Sequence, residues 1–277
     1  MKHVKILIFL LAFCFSISAQ DKSPAASNSQ KNESVKKAEQ ILRQAREAIS
    51  KSAKIADVKS FTLNSKSSEL LFIAGKKIEG TSEEEFNFIL PDKIRRNSAG
   101  NYSTNQSITT AVLDGEKFSS KIDTFVEGKL INYNFGASIN KKELISQLKH
   151  DAFITFFPIT LDASSYLLPE FNYVGIAESK DGKAVVIEAV APSKAKYRLF
   201  FDATTHLLLM MTESWTTGEN KPSENKYFFS DYRERDGLLV ANKIVTERNG
   251  EVVKEKEIKN LKVNPVFKAD FFEVKEK

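Results

Sequence analysis

Residues 226–272 read KYFFSDYRERDGLLVANKIVTERNGEVVKEKEIKNLKVNPVFKADFF, three strand-like runs separated by two tight-turn signals. Tyr227 to Arg233 carries four aromatics, Leu238 to Arg248 is rich in β-branched residues, and Val252 to Val263 alternates apolar and charged positions. Asp236-Gly237 and Asn249-Gly250 join them. Both pairs suit a two-residue hairpin, because the two central positions of a type I′ turn need positive φ. This stretch is therefore an antiparallel meander, and the sheet to which it belongs organises the chain.

The 277 residues, 42% of them hydrophobic, can bury a single core without help. Lys2 and Lys5 precede an unbroken apolar run from Ile6 to Phe15, and Ser16-Ile17-Ser18-Ala19 offers small residues for cleavage before Gln20. Residues 1–19 read as a secretory signal peptide, since the run is too short to span a membrane. Cys14 is the only cysteine; the bulky Phe13 beside it disfavours a lipidation site. Cleavage after Ala19 takes Cys14 away, so the mature chain has no disulfide, thiolate or cysteine-bound zinc. Loss of Lys2 and Lys5 lowers the formal charge from +5 to +3. That balance argues against nucleic acid as a partner.

Residues 20–33 are small and polar and read as a flexible tether; residues 34–277 read as one domain. Ser34 can cap a helix from Val35 to about Ser52. Its apolar stripe is Val35, Ala38, Ile41, Leu42, Ala45, Ala48 and Ile49. Short strands follow from Val58 to Ile122, with alternation clearest at Phe86, Phe88 and Leu90 and a hairpin at Asp114-Gly115. Asn140 and Glu143 have the spacing of a helix N-terminus. Ile145, Leu148, Ala152 and Phe156 lie on one face of that helix, with Leu144 and Phe153 beside them. Pro158 ends it, and a second helical piece is expected from Asp162 to Leu168. Strands resume from Phe171 and run into the opening meander, after which Phe271 and Phe272 read as a clamp on the sheet edge. The expected fold is α+β: one strongly curved antiparallel sheet of ten or eleven strands, an incomplete barrel, with an N-terminal helix and a mid-chain helical lid.

No catalytic constellation emerges. His150 and His206 have no metal-ligand spacing, no Gly-x-Ser-x-Gly elbow occurs, and the glycines form no phosphate loop. Glu83-Glu84-Glu85 reads as ordinary exposed charge. The expectation is a protein without enzymatic activity, catalytic residues, metal or cofactor. Apolar runs such as Leu70 to Ile73, Val185 to Ile187 and Leu207 to Met211 either fill a core or line a cavity able to take acyl chains.

The order of these features resembles that of the periplasmic lipoprotein-carrier and outer-membrane lipoprotein-sorting proteins, the LolA/LolB-like family. The resemblance runs from about residue 35 to 274. It rests on the N-terminal helix, the turn Leu90-Pro91-Asp92-Lys93-Ile94-Arg95, and the hairpin Val112-Leu113-Asp114-Gly115-Glu116-Lys117-Phe118. The mid-chain helices, Leu199-Phe200-Phe201-Asp202-Ala203-Thr204-Thr205, and the terminal Ser230-Asp231-Tyr232, Asp236-Gly237 and Val263-Asn264-Pro265 complete it. It implies a bent sheet closed by helices whose apolar interior shelters the acyl chain of a lipid or lipoprotein in the periplasm. Envelope membrane proteins are the implied partners of a monomer. The family's carriers often place an arginine directly before the turn proline, where it helps hold the lid closed. Leu90 stands there in this chain, with Arg95 and Arg96 nearby. Phe86, Phe88, Phe153, Phe156 and Met210 are the residues expected to line the cavity. The alternative is a non-catalytic envelope interaction module with a filled core; a hydrolase acting on envelope material is disfavoured by the missing nucleophile and ligands.

Overall fold

The computed structural model describes residues 27–274 except 53–54, 74–75, 132–139, 158–169 and 219–220. The expected signal peptide, the start of the expected tether and the expected helical piece after Pro158 lie outside the described residues.

Strands β1 (Ser60–Ile73), β2 (Lys76–Ile89), β3 (Lys93–Tyr102), β4 (Asn105–Asp114), β5 (Lys117–Val126) and β6 (Lys129–Ile131) form one run of neighbours. Helix α2 (Lys141–Phe156) follows. Then come β7 (Phe171–Ser179), β8 (Gly182–Val190), β9 (Lys196–Asp202), β10 (Leu208–Thr216), β11 (Pro222–Arg235), β12 (Leu238–Arg248) and β13 (Glu251–Val263). All thirteen belong to one sheet in the order β6-β5-β4-β3-β2-β1-β13-β12-β11-β10-β9-β8-β7. Every described pairing is antiparallel. The α+β class read from the sequence holds, with thirteen strands among the described residues in place of ten or eleven. The excess comes from strands with little pattern to show: β6 has only three residues.

The meander forms as its turn residues dictate. Asp236 and Gly237 have φ of 47° and 81°, and Asn249 and Gly250 have 51° and 85°, the left-handed pairs a type I′ hairpin needs. Their consequence is long-range. β13 returns to the middle of the sheet and pairs with β1, Phe61 opposite Val263 and Leu63 opposite Leu261. The two halves of the chain thus meet at a central seam, and β6 and β7 are left as opposite edges. The link from β6 to β7 has to traverse the sheet, and its described part is α2.

Both helices lie on the same, concave face. Helix α1 (Ser27–Ile49) buries the anticipated stripe Ala38, Ile41, Leu42, Ala45 and Ile49. It starts before Ser34, so residues 27–33, expected in the tether, are helical here. Ser34 does not cap it: the hydroxyl donates to the carbonyl of Tyr173 on β7 at 3.1 Å. Helix α2 has the expected cap, the Asn140 side chain accepting from the Lys142 N–H at 3.0 Å. Its last residue, Phe156, precedes the extended cap Phe157 and then Pro158.

The C-terminal tail departs from expectation. Phe267, Phe271 and Phe272 pack on one another with ring centroids about 5 Å apart. Arg95 of β3 stacks 4.7 Å from the Phe271 ring and donates to its carbonyl at 2.9 Å. Arg95 alternates with Ile94 and Arg96, which face the helices, so the tail covers the outer face of the sheet rather than its edge.

Candidate functional site

Alternation along the central strands decides what lies beneath α2. On β1 the inward residues run Phe61, Leu63, Ser65, Ser67, Glu69; on β2 the opposing residues are Phe88, Phe86, Glu84, Ser82, Gly80. The concave face is thus aromatic at one end of these strands and small, polar and charged further along. The underside of α2 matches both halves. Phe156 sits on the aromatic half, its ring centroid 4.1 Å from that of Phe61, 5.6 Å from Phe86 and 6.4 Å from Phe88. Phe61, Phe86, Phe88 and Phe156 are each at most 2% exposed. This end is close-packed.

The polar half carries an ion-pair network that spans the sheet and the helix. Glu84, 4% exposed, meets three cations: Arg96 of β3, Lys256 of β13 at 2.8 Å and Lys254 at 3.5 Å. Lys254 also pairs with Glu69 at 2.7 Å, and Glu69 accepts from Ser82 and Tyr102. Two residues of α2 join from above. Asp151 accepts from Arg96 at 2.8 Å, and His150 Nε2 stands 3.2 Å from Glu213 Oε2 on β10. Glu213 in turn accepts from Tyr197 at 2.6 Å, Tyr227 at 3.1 Å and Asn225 at 3.3 Å. A cavity of about 90 Å³ lies between the two layers, lined by Glu84, Arg96, His150, Asp151, Lys254 and Lys256 among others.

Electrostatics follow from the pairing. Burial alone would raise Glu84, but Lys256, Arg96 and Lys254 hold its carboxyl well below the ordinary carboxylate range. Burial would lower His150, yet the carboxylates of Asp151 and Glu213 beside it push it up to about 9. Glu213 is desolvated too, and the His150 contact brings it down to about 2. These groups are charged together at neutral pH. A histidine held protonated this firmly is an ion-pair partner and a poor general base. Among the described residues, no group of three or more His, Cys, Asp or Glu side chains is placed to hold a metal ion. No helix of the described residues is long and apolar enough to cross a membrane.

Of the five residues expected to line a cavity, three meet: Phe86 and Phe88 lie beneath Phe156. Phe153 is buried one cluster away, with Phe157 at 5.3 Å and Tyr197 at 6.0 Å. Met210 is misplaced. It lies with Val186 and Phe200 on the opposite face of the sheet, and Met211 is the residue that enters the concave core. In a continuous apolar strand such as Leu207 to Met211, hydrophobicity cannot tell the two faces apart. The charged half escaped sequence reading altogether. In the run Glu83-Glu84-Glu85 composition gives Glu84 no mark of its own, but two-residue alternation places it on the face of Phe86 and Phe88.

No protein-family model and no curated protein matches this sequence. Among solved structures, the chain is similar to a DUF1329 family protein from Desulfovibrio piger, with 11% identity over 87% of this chain and 97% of that one, at a TM-score of 0.48. It is similar to a domain assigned as an outer membrane lipoprotein-sorting protein from Vibrio parahaemolyticus, with 9% identity, 88% and 97% coverage and a TM-score of 0.49. It is also similar to a LolA superfamily protein from Nitrosomonas europaea, with 9% identity, 84% and 96% coverage and a TM-score of 0.46.

Proposed function

We propose that this chain is a periplasmic binding or carrier protein that shelters the acyl chain of a lipid or lipoprotein between α2 and the concave face of the sheet, without covalent chemistry. One observation carries the reading. The aromatic floor of Phe61, Phe86 and Phe88 is covered by Phe156 of a separate element, α2, whose Leu148 and Ala152 belong to the same buried cluster. The strands beneath α2 cannot leave without breaking ladders on both sides; among the described residues α2 meets the sheet through side chains, so it can move off as a unit. Removing it uncovers an apolar floor on which a chain of methylenes can be buried in place of Phe156.

The close packing of that floor supports a second reading: a filled-core module that docks on envelope proteins and carries nothing. Mass spectrometry under conditions that keep complexes intact separates the two. Protein prepared without detergent is expected to carry a defined added mass, removable by organic solvent, and to take up a fluorescent fatty acid after extraction. A bare polypeptide that takes up no fatty acid would establish the filled-core module instead.

A further inference from the structure

The polar half of the concave face has features that its own ion pairs do not use. Strand register sets Ser67 between Ser82 on β2 and Lys256 on β13, and Ser65 between Glu84 and Ile258. Ser65 and Ser67 are 4% and 2% exposed, and neither hydroxyl has a hydrogen-bond partner. Arg96 Nε is likewise buried without one. Unpaired buried donors are unfavourable, and here three of them face the side of the sheet on which Arg96, Lys254 and Lys256 converge.

The charges add a second, independent observation. Arg96, Lys254 and Lys256 are balanced by Glu69, Glu84 and Asp151. All are on the sheet except Asp151, which α2 supplies. When α2 moves off, this cluster keeps three cations against two carboxylates, and Arg96 loses Asp151 and is left sharing Glu84 with Lys254 and Lys256. His150 leaves as well, but Glu213 retains its three donors Tyr197, Tyr227 and Asn225. A partly buried cation that loses one of its two carboxylates has to be paired again or resolvated.

Asp151 and Phe156 are five residues apart on one helix, about 7–8 Å along its axis. They present an acid to the cationic half of the face and an aromatic plug to the apolar half. We propose that α2 is an internal stand-in for the ligand, and that the ligand is an amphiphile combining an acyl chain with an acidic headgroup, a phosphate or a carboxylate. The acid takes the place of Asp151 at Arg96, within reach of Lys256 and the Ser65 and Ser67 hydroxyls. The chain takes the place of the Phe156 ring over Phe61, Phe86 and Phe88. This rests on the acyl-carrier reading and adds to it the charge of the cargo.

The test titrates the mature chain with four probes below their micelle concentrations: dodecyl phosphate, dodecanoate, neutral 1-O-dodecylglycerol and inorganic phosphate. Calorimetry gives the affinities and intact-complex mass spectrometry the stoichiometry. At least one acidic amphiphile is expected to bind about tenfold or more tightly than dodecylglycerol, the worth of one charged hydrogen bond. Which acid binds better assigns the headgroup. Asp151→Asn, which neutralises the internal competitor at Arg96, is expected to tighten the acidic probe. Equal affinity for acidic and neutral amphiphiles overturns the acidic headgroup and leaves the acyl carrier standing. Binding of none of the amphiphiles overturns the carrier reading itself. Inorganic phosphate binding as tightly as dodecyl phosphate makes this a free-oxyanion site and overturns the amphiphile.

Discussion

Glu84 shows how much one side chain can organise. It reaches over the two small residues of the neighbouring strand, Ser65 and Ser67, and so meets cations from β3 on one side and β13 on the other. A larger residue at either serine would fill the space its carboxylate crosses. Buried ion pairs gain little over a well-packed apolar core, but removing one partner strands the others. Glu84→Gln leaves Arg96, Lys254 and Lys256 facing a neutral amide and is expected to cost about 3–5 kcal/mol. Urea denaturation of the variant beside the wild type measures it; a loss below about 1 kcal/mol would mean that water screens the network. The sequence holds half the information needed to find this residue. Alternation along β2 puts Glu84 on the face of Phe86, but its three partners come from strands up to 172 residues away, and only the register brings them together. Met210 fails for the complementary reason: within its apolar run nothing in composition marks the inward face.

Helix α2 was legible in its ends and its stripe, since Asn140, Glu143 and Pro158 punctuate it and Leu148, Ala152 and Phe156 recur at helical spacing. Its polar attachment was not, because the partners of His150 and Asp151, Glu213 and Arg96, are distant in sequence and only the fold brings them together. That attachment gives the helix a pH dependence. His150 is raised from 6.5 to about 9, so its contribution is complete below pH 6.5 and is lost as pH rises through 9. Glu213 is lowered from 4.5 to about 2, so its contribution is present above pH 4.5 and is lost as pH falls through 2. The pair therefore holds α2 most firmly between about pH 4.5 and 6.5. The urea midpoint of the wild type is expected to fall between pH 6 and pH 9. In His150→Gln, which cannot titrate, that decline should shrink. An equal decline in both proteins would assign the alkaline loss to groups other than this pair.

At the scale of the whole molecule, the seam between β1 and β13 is what makes one sheet of two half-chains, and Asn264 secures it. The residue has φ of 52°, in the left-handed region that asparagine tolerates better than most side chains. Its side-chain oxygen accepts from the N–H groups of Lys59 at 2.8 Å and Ser60 at 3.2 Å, and its amide donates to the Asp57 carbonyl at 3.0 Å. The backbone N–H of Asn264 completes the clasp on Ser60 at 2.8 Å. Segments more than 200 residues apart are thus joined where β1 begins and β13 ends. The Val263-Asn264-Pro265 triplet stands out in the sequence, yet its role depends on a pairing between the two ends of the domain that no local pattern specifies. Asn264→Ala removes three side-chain hydrogen bonds and puts a Cβ without compensating polar contacts in a left-handed conformation. The expected loss is about 2–3 kcal/mol of global stability, because the seam cannot open without separating the halves. Asn105→Ala, at the exposed start of β4, is the matched control and should stay within about 0.5 kcal/mol. Denaturant unfolding of both variants, with unchanged slope against the wild type, measures the comparison. If Asn264→Ala is no worse than Asn105→Ala, the halves are held by ladder and core packing, and the clasp only trims the end of a seam already closed.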